Sequence, residues 1–341
     1  MTGELGSLAK HRAYLGKPPK KGGVAPFPCD PAEVFATQVK GLAARLKAIK
    51  CRDVVIGLSG GLDSTLALLV ADAAFAKLKL DKRGIHVYAM PGFGTSKRTK
   101  GNAELLCEGL GLGLEFISIV KSVRQHLKDI GHDGKTPDVT YENAQARMRT
   151  MILMDKANMT HGIVLGTGDL SEIALGWCTY NGDHMSMFGV NSGVPKTVIR
   201  EVCRWYALKR SNAQDVRRSI LDIIATPVSP ELVKGQVTED KIGPYELHDF
   251  FLWNFIMNEM GSKDLQSTAE RYFLGNRTIE QSEQSNNFTK ELIAKTLKTF
   301  MWRFFTQAFK RNCQPDGIRV FPFELSLRGW WIPSDLGFVR L

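Results

Sequence analysis

One junction constrains this chain more than any other. The apolar run Val54-Val55-Ile56 stops abruptly at Gly57-Leu58-Ser59-Gly60-Gly61-Leu62-Asp63-Ser64-Thr65, and the helix-compatible stretch Leu66-Ala67-Leu68-Leu69-Val70 follows at once. That pattern predicts a buried strand, a small-residue loop and a helix. It aims backbone N–H groups and a helix N-terminus at one point, where an anion is favoured. Gly60 and Gly61 permit positive φ and close approach of a ligand. Ser59, Ser64 and Thr65 add hydroxyl donors. Asp63 would repel a bare phosphate, so its presence calls for a divalent cation between the two, and Mg²⁺ favours a carboxylate with phosphate oxygens. A glycine-rich turn with no ligand would leave Asp63 and the three hydroxyls without a purpose.

The rest of the chain supplies partners for that strand. An Asp30-Pro31-Ala32-Glu33 helix start precedes Phe35, Val39, Leu42, Leu46 and Ile49, spaced by fours and threes as one apolar stripe. Helices are also expected at about 64–80, 104–110 and 141–159. Short apolar segments at 84–90, 114–119, 162–165 and 221–225 read as further strands. This alternation predicts an α/β fold, a parallel sheet with helices on both faces. Ligands then bind at the carboxyl ends of the strands, where the polar and glycine-rich segments 57–65, 91–95, 166–172 and 226–229 fall. From about 230 the strand pattern stops. Helices near 243–260 and 289–311, separated by the polar stretch 276–287, form an appended C-terminal helical region. Residues 1–29 read as a basic tail or linker, and 30–341 as the domain proper.

With 341 residues, 43% of them hydrophobic, the chain can bury a large core. Its net charge of +10 raises the question of nucleic acid. Five of those cations, Lys10, Arg12, Lys17, Lys20 and Lys21, lie in the first 28 residues, and the others are spread over expected helix faces without interleaved aromatics. A solvated basic surface that attracts polyanionic nucleotides is the more economical reading, with no nucleic-acid partner. The six cysteines are scattered without a C-x-x-C pair, which argues for a reducing compartment and against structural zinc. No apolar stretch is long enough to span a bilayer and no signal peptide is seen, so a cytoplasmic protein without a membrane partner is expected.

A second constellation lies at the end of the fourth strand. In Gly166-Thr167-Gly168-Asp169-Leu170-Ser171-Glu172, small residues and the Thr167 hydroxyl can approach a nucleotide, and Glu172 offers a second carboxylate for Mg²⁺. Taken alone, a helix cap explains this segment equally well. In the run 175–186, Trp177 or Tyr180 can stack on a heteroaromatic ring, and a pyridinium would gain cation–π energy there. Asp183 and His184 suggest either acid–base work or a turn hydrogen bond. Asn143 and Arg147 stand four apart on one helix face and can meet a ligand together. Lys196, after Val194-Pro195, is a candidate phosphate cation.

These segments carry a resemblance. The loop lacks the Lys of a Walker A sequence and resembles the Ser-Gly-Gly-x-Asp-Ser loop of ATP pyrophosphatases. GLSGGLDST, MPGFGTS at 90–96, DVTYENAQARMRT at 138–150, GTGDLSEIALGWCTYNGDHMSMFGVNSGVPKT at 166–197, TEDKIGPYELHDFF at 238–251 and FKR at 309–311 occur in order. From about residue 24 to the C-terminus the chain resembles the synthetase domain of glutamine-dependent NAD synthetase. The resemblance implies an adenine nucleotide alpha hydrolase-like fold and ATP-dependent amidation of deamido-NAD, through an acyl-adenylate, with release of AMP and pyrophosphate. It implies that Gly57, Leu58, Ser59, Gly60, Gly61, Leu62, Asp63 and Ser64 hold the ATP phosphates. Met90 and Thr167 would contact ATP, with Lys196 and Ser229 near its phosphates. Asp63 and Glu172 would bind Mg²⁺ and, with Lys196, form the catalytic set. Asn143, Arg147, Glu172, Trp177, Cys178, Thr179, Tyr180 and Lys310 would belong to the deamido-NAD site.

The base that keeps the attacking nitrogen neutral is left open between Asp169 and Asp183. The nitrilase-like glutaminase domain that precedes the synthetase in that family has no counterpart in these residues. Ammonia is therefore the expected donor for this chain, supplied freely or by a separate glutaminase, and a homodimer or larger assembly is expected. Two rival readings are a tRNA-modifying ATP pyrophosphatase and an inactive nucleotide-binding partner of a glutaminase; intact Asp63 and Glu172 argue against the second.

Overall fold

The computed structural model describes residues 27, 29–227, 229, 232, 237–274, 288–326 and 329. The chain enters through helix α1 (Pro31–Ala48), where the Asp30 carboxylate accepts the Ala32 N–H and Pro31 takes the first position. Val34, Phe35, Val39, Leu42 and Leu46 are buried, while Ile49 falls just past the helix and is exposed. Strand β1 (Val54–Gly57) is followed by helix α2 (Leu62–Leu78), which is buried from Leu62 to Phe75 on nearly every face. A helix apolar all round belongs in the middle of a core. Strand β2 (Ile85–Ala89), helix α3 (Lys97–Leu110) and strand β3 (Leu114–Phe116) come next, then helices α4 (Val120–Asp129) and α5 (Val139–Thr160). Strand β4 (Ile163–Gly166), helix α6 (Leu170–Leu175) and the two-residue strand β5 (Phe188–Gly189) complete the sheet.

The strands lie in the order β3-β2-β1-β4-β5, and every pairing is parallel. Val54 is opposite Ile85 on one side and Ile163 on the other. The order reverses at β1, so the crevice between the carboxyl ends of β1 and β4 is the switch point where such sheets bind ligands. The loops that open there are 57–61 and 167–169.

Helix α7 (Lys196–Trp205) runs into a π-helical turn at Tyr206–Arg210, and α8 (Gln214–Ile224) follows. Here the structure corrects the expectation of a strand at 221–225. Val216, Ser219, Ile220 and Ile223 are buried at helical spacing and pack the segment against α3. A short apolar run does not carry its own period, and the polar residues before it decide. The fifth strand is Phe188–Gly189 instead, too short to show an alternation. Strand β3 also stops at Phe116, because Val123 and Leu127 bury the helical face of α4, which the expected elements did not include.

Short helix α9 (Thr238–Ile242) leads to α10 (Tyr245–Met257), α11 (Ser262–Leu274), α12 (Lys290–Thr306) and α13 (Ala308–Arg311). The polar stretch 276–287 lies outside the described residues. Phe251, Phe255, Phe300 and Phe304 interlock between α10 and α12 with ring centroids 5.3–6.3 Å apart. One hydrophobic cluster runs continuously from Phe27 through α2 to Leu325, so the C-terminal helices share the core of the sheet. No described helix is long and apolar enough to cross a membrane. All six cysteines are free.

Candidate functional site

A cavity of about 620 Å³ opens at the switch point. Its floor is the loop after β1. Gly60 has φ +76°, and a Cβ there would meet the Thr99 carbonyl at 2.5 Å, so only glycine suits the turn. Ser59 and Ser64 hydroxyls lie 3.0 Å apart, and Ser59 Oγ accepts the Gly61 N–H. Ser64 and Thr65 hydroxyls donate to the Gly61 carbonyl at the start of α2. The opposite wall is the loop after β4. Asn191, fully buried, binds the two loops together by donating to the Asp63 carbonyl at 2.8 Å and the Thr167 carbonyl at 3.1 Å.

Three carboxylates converge between these loops. Oxygen atoms of Asp63, Asp169 and Glu172 lie within 4.8 Å of one another. The Lys196 ammonium, 1% exposed, sits among them at 2.6 Å from Asp63, 2.7 Å from Asp169 and 3.0 Å from Glu172. Burial raises the Glu172 carboxyl to about 7 despite the pull of Lys196. Burial alone would lower the Lys196 ammonium, but Asp169, Asp63 and Glu172 together raise it well above its ordinary value. Asp63 Oδ1 is sealed from solvent and has no hydrogen-bond partner among the described residues. An orphaned carboxylate oxygen in an all-oxygen donor set fits a hard divalent cation such as Mg²⁺.

Helix α7 delivers Lys196 through a buried chain of polar groups. The Lys196 N–H donates to Ser171 Oγ at 2.8 Å, and Ser171 Oγ donates to Asp249. Asp249, from α10, also accepts the Thr197 N–H at 3.0 Å and the Thr197 hydroxyl at 2.7 Å. The C-terminal end of α6 is held as firmly. Arg303 donates to the Leu175 and Gly176 carbonyls, Arg311 to the Ala174 carbonyl, and Lys310 to the Gly176 and Cys178 carbonyls. Cations at a helix C-terminus also suit its macrodipole. Arg303 lies 4.8 Å over the Trp177 ring.

Most of the residues singled out in the sequence line this one cavity: Gly57 to Ser64, Met90, Asn143, Thr167, Glu172, Trp177, Cys178, Thr179, Tyr180, Ser229 and Lys310. Two do not. Lys196 is buried beneath the carboxylates instead of facing the cavity. Arg147 is exposed and donates to the Tyr180 carbonyl at 3.3 Å, while Asn143 accepts the Thr179 hydroxyl at 2.8 Å. The pair on α5 thus grips residues 179–180, Asn143 from the cavity wall and Arg147 from the exposed surface. Tyr180 stacks on His184 at 5.3 Å. Of the two candidate bases, Asp169 is fully buried and accepts the Glu172 N–H, whereas Asp183 lines the cavity and accepts the Thr179 N–H at 2.7 Å. Sequence reasoning missed Asn191, Asp249 and the cavity cations Lys100, Arg149, Arg200 and Arg303. A single polar residue in a basic chain carries no local signal, and only chain folding brings these six to the site.

The NAD synthase family model matches residues 34–293. A glutamine-dependent NAD(+) synthetase of Mycobacterium bovis is 38% identical over 328 residues, covering 89% of this chain and 47% of that protein. The chain therefore spans about half the length of the curated relatives it matches. The glutamine-dependent NAD(+) synthetase from Cytophaga hutchinsonii superposes with a TM-score of 0.66 at 17% identity, over 89% of this chain and 54% of that one. An NH3-dependent NAD synthetase from Campylobacter jejuni gives a TM-score of 0.54 at 21% identity, over 83% of this chain and 96% of that one. The two structures show the shared fold, and the sequence matches show the descent. The chain belongs to the NAD synthase family.

Proposed function

We propose that this chain amidates deamido-NAD to NAD at the expense of ATP, with ammonia as the nitrogen donor. The observation that carries the proposal is that one cavity is lined by both the Ser59–Ser64 loop and the 177–180 and Lys310 wall. A nucleotide triphosphate on the first and a pyridine nucleotide on the second would meet over the carboxylates.

A carboxylate does not react with ammonia near neutral pH, because its oxygen is a poor leaving group. The nicotinate oxygen first attacks the α-phosphorus; the bond to the bridging oxygen breaks and pyrophosphate leaves with the electron pair. Ammonia then attacks the acyl carbon, a C–N bond replaces the C–O bond, AMP leaves with its electrons, and one proton departs from nitrogen. We assign that proton to Asp183, because of the two candidate carboxylates it is the one that lines the cavity. Loop N–H groups at the start of α2 would stabilise charge on the departing pyrophosphate. Asp63 and Glu172, with Asp169 behind them, would hold Mg²⁺, which when bound neutralises phosphate charge. Trp177, backed by Arg303, offers a face to the pyridinium.

Ammonia suits the cysteines of this chain. Burial raises the Cys29, Cys107, Cys178 and Cys203 thiols, so none of these four is a poised thiolate for glutamine hydrolysis. The assembly we assign is a homodimer or larger, open to free ammonia or to a separate glutaminase. The test is incubation with ATP, Mg²⁺ and deamido-NAD, with ammonium or glutamine supplied in parallel. NAD and AMP in equal amounts from ammonium alone are expected. No NAD from either donor refutes the reaction, and equal NAD from glutamine refutes the donor.

A further inference from the structure

The cavity wall that follows strand β2 is held by a side chain buried behind it. Met90, Pro91 and Thr95 line the cavity there, as does Leu232 from beyond helix α8. From Met90 to Phe93 the backbone is pinned at four points. The Met90 carbonyl accepts Arg149 Nε at 3.1 Å, and the Pro91 carbonyl accepts the Ile119 N–H at 3.2 Å. The Gly92 N–H donates to the Thr95 hydroxyl at 3.0 Å, and the Phe93 N–H donates to Gln145 Oε1 at 3.1 Å. The Phe93 ring stacks on Tyr141, with centroids 5.1 Å apart.

Gln145 joins these ties to the other side of the opening. It is 0% exposed on helix α5, and its single amide group makes three hydrogen bonds. Besides accepting from Phe93, it donates through Nε2 to the Tyr141 carbonyl at 3.2 Å and to the Leu232 carbonyl at 3.0 Å. A neutral amide can accept and donate twice in one plane, whereas an ionised carboxylate only accepts. The loop is shaped to meet it: a Cβ on Gly92 would lie 2.6 Å from Gln145 Oε1. Arg149 stands one turn further along the same face of α5, so the two side chains hold both ends of the 90–93 segment.

We propose that Gln145 is a positioning residue that fixes the 90–93 segment and Leu232 as a preformed wall for ATP. The inference rests on the reaction proposed above, in which ATP occupies this cavity. Strand β2 lies beside β1, so a nucleotide with its phosphates on the 57–64 loop has its base and sugar against this wall. Without the amide, the Phe93 N–H and the Leu232 carbonyl lose their partner and must move to find others. Ordering of the wall is then deferred to the moment of binding and subtracts from affinity. Asn143 and Arg147, two positions away and so on the opposite side of α5, hold residues 179–180 instead. The deamido-NAD wall therefore serves as an internal control.

Calorimetric titration with α,β-methylene-ATP and Mg²⁺, and separately with deamido-NAD, reads the two walls without catalysis. Gln145→Met keeps the length of the side chain and removes all three hydrogen bonds. Gly92→Ala pushes the loop off the amide and leaves α5 unaltered. Ala157→Gly, buried on the same helix and away from both segments, controls for lost helix stability. Kd for the analogue is expected to rise about ten-fold in Gln145→Met, the worth of one hydrogen bond, and roughly three-fold in Gly92→Ala. Kd for deamido-NAD should stay within about two-fold in both, and both values should do so in Ala157→Gly. Should Gln145→Met fail to fold, Gly92→Ala decides. An unchanged analogue Kd in the folded variant overturns the positioning role and leaves the reaction standing. Equal weakening of both ligands, or the same weakening in Ala157→Gly, does so too. No analogue binding by the unaltered protein overturns the nucleotide reading of the cavity, and the positioning with it.

Discussion

The Lys196 ammonium lies 2.6 Å from the Asp63 carboxylate, though the two residues are 133 positions apart. Together with Asp169 and Glu172 they form a buried cluster of one cation and three anions. Removing the cation leaves like charges in a low-dielectric site, which typically costs about 3–5 kcal/mol. Lys196→Met should therefore lose roughly that much stability in urea denaturation with a chelator present. Millimolar Mg²⁺ should recover part of the loss, because a divalent cation can take over the neutralisation. Equal midpoints for the variant with and without Mg²⁺ would contradict that picture.

Asp63→Ala and Glu172→Ala act the other way. Each removes one of three crowded carboxylates and leaves Lys196 with partners, so stability should change by less than about 1 kcal/mol. Pyrophosphate release should fall at least about a thousand-fold, since each is a proposed metal ligand. Near-normal AMP formation by either variant in saturating Mg²⁺ would remove that assignment.

Asn191→Ala severs the tie between the two loops. The Asp63 and Thr167 carbonyls lose their donor, and the Gln38 amide keeps only the Val190 carbonyl. A loss of about 2 kcal/mol is expected, together with a raised KM for ATP. Unaltered KM in a destabilised but folded variant would show that the tie serves stability alone.

His248 sets an acid limit on the fold. It is 1% exposed, its Nε2 donates to the Ile242 carbonyl at 2.9 Å, and burial lowers it to about 4. An unfolded histidine titrates near 6.5. Between those values the unfolded chain binds the extra proton, so stability rises with pH there. The contribution is complete above pH about 6.5 and is lost as pH falls toward about 4, a loss of about 3 kcal/mol. His248→Gln keeps a donor for Ile242 and should flatten this part of the curve relative to the unaltered protein. Parallel curves for the two proteins would refute it.

The strand–loop–helix at 54–78 was legible because its signals are local. An apolar run, three glycines and a largely apolar helix lie within 25 consecutive positions, and each constrains the local backbone. The same holds for α1, with its Asp30 cap, and for the 166–172 loop. The segment 221–225 misled because five residues cannot display a helical period. The packing of Val216 and Ile220 four residues apart against α3 decided it. The types of residue in the candidate site, and most of their positions, were thus present in the sequence. Their arrangement was not. Lys196 reads as a phosphate cation until folding places it under three carboxylates, and Asp169 and Asp183 are equivalent candidates until only one reaches the cavity. Asn191 and Asp249 acquire meaning only from neighbours far along the chain. The reason is physical: backbone conformation follows from short-range sterics and hydrogen bonding. Desolvation and charge pairing depend on what the completed core brings within a few ångströms.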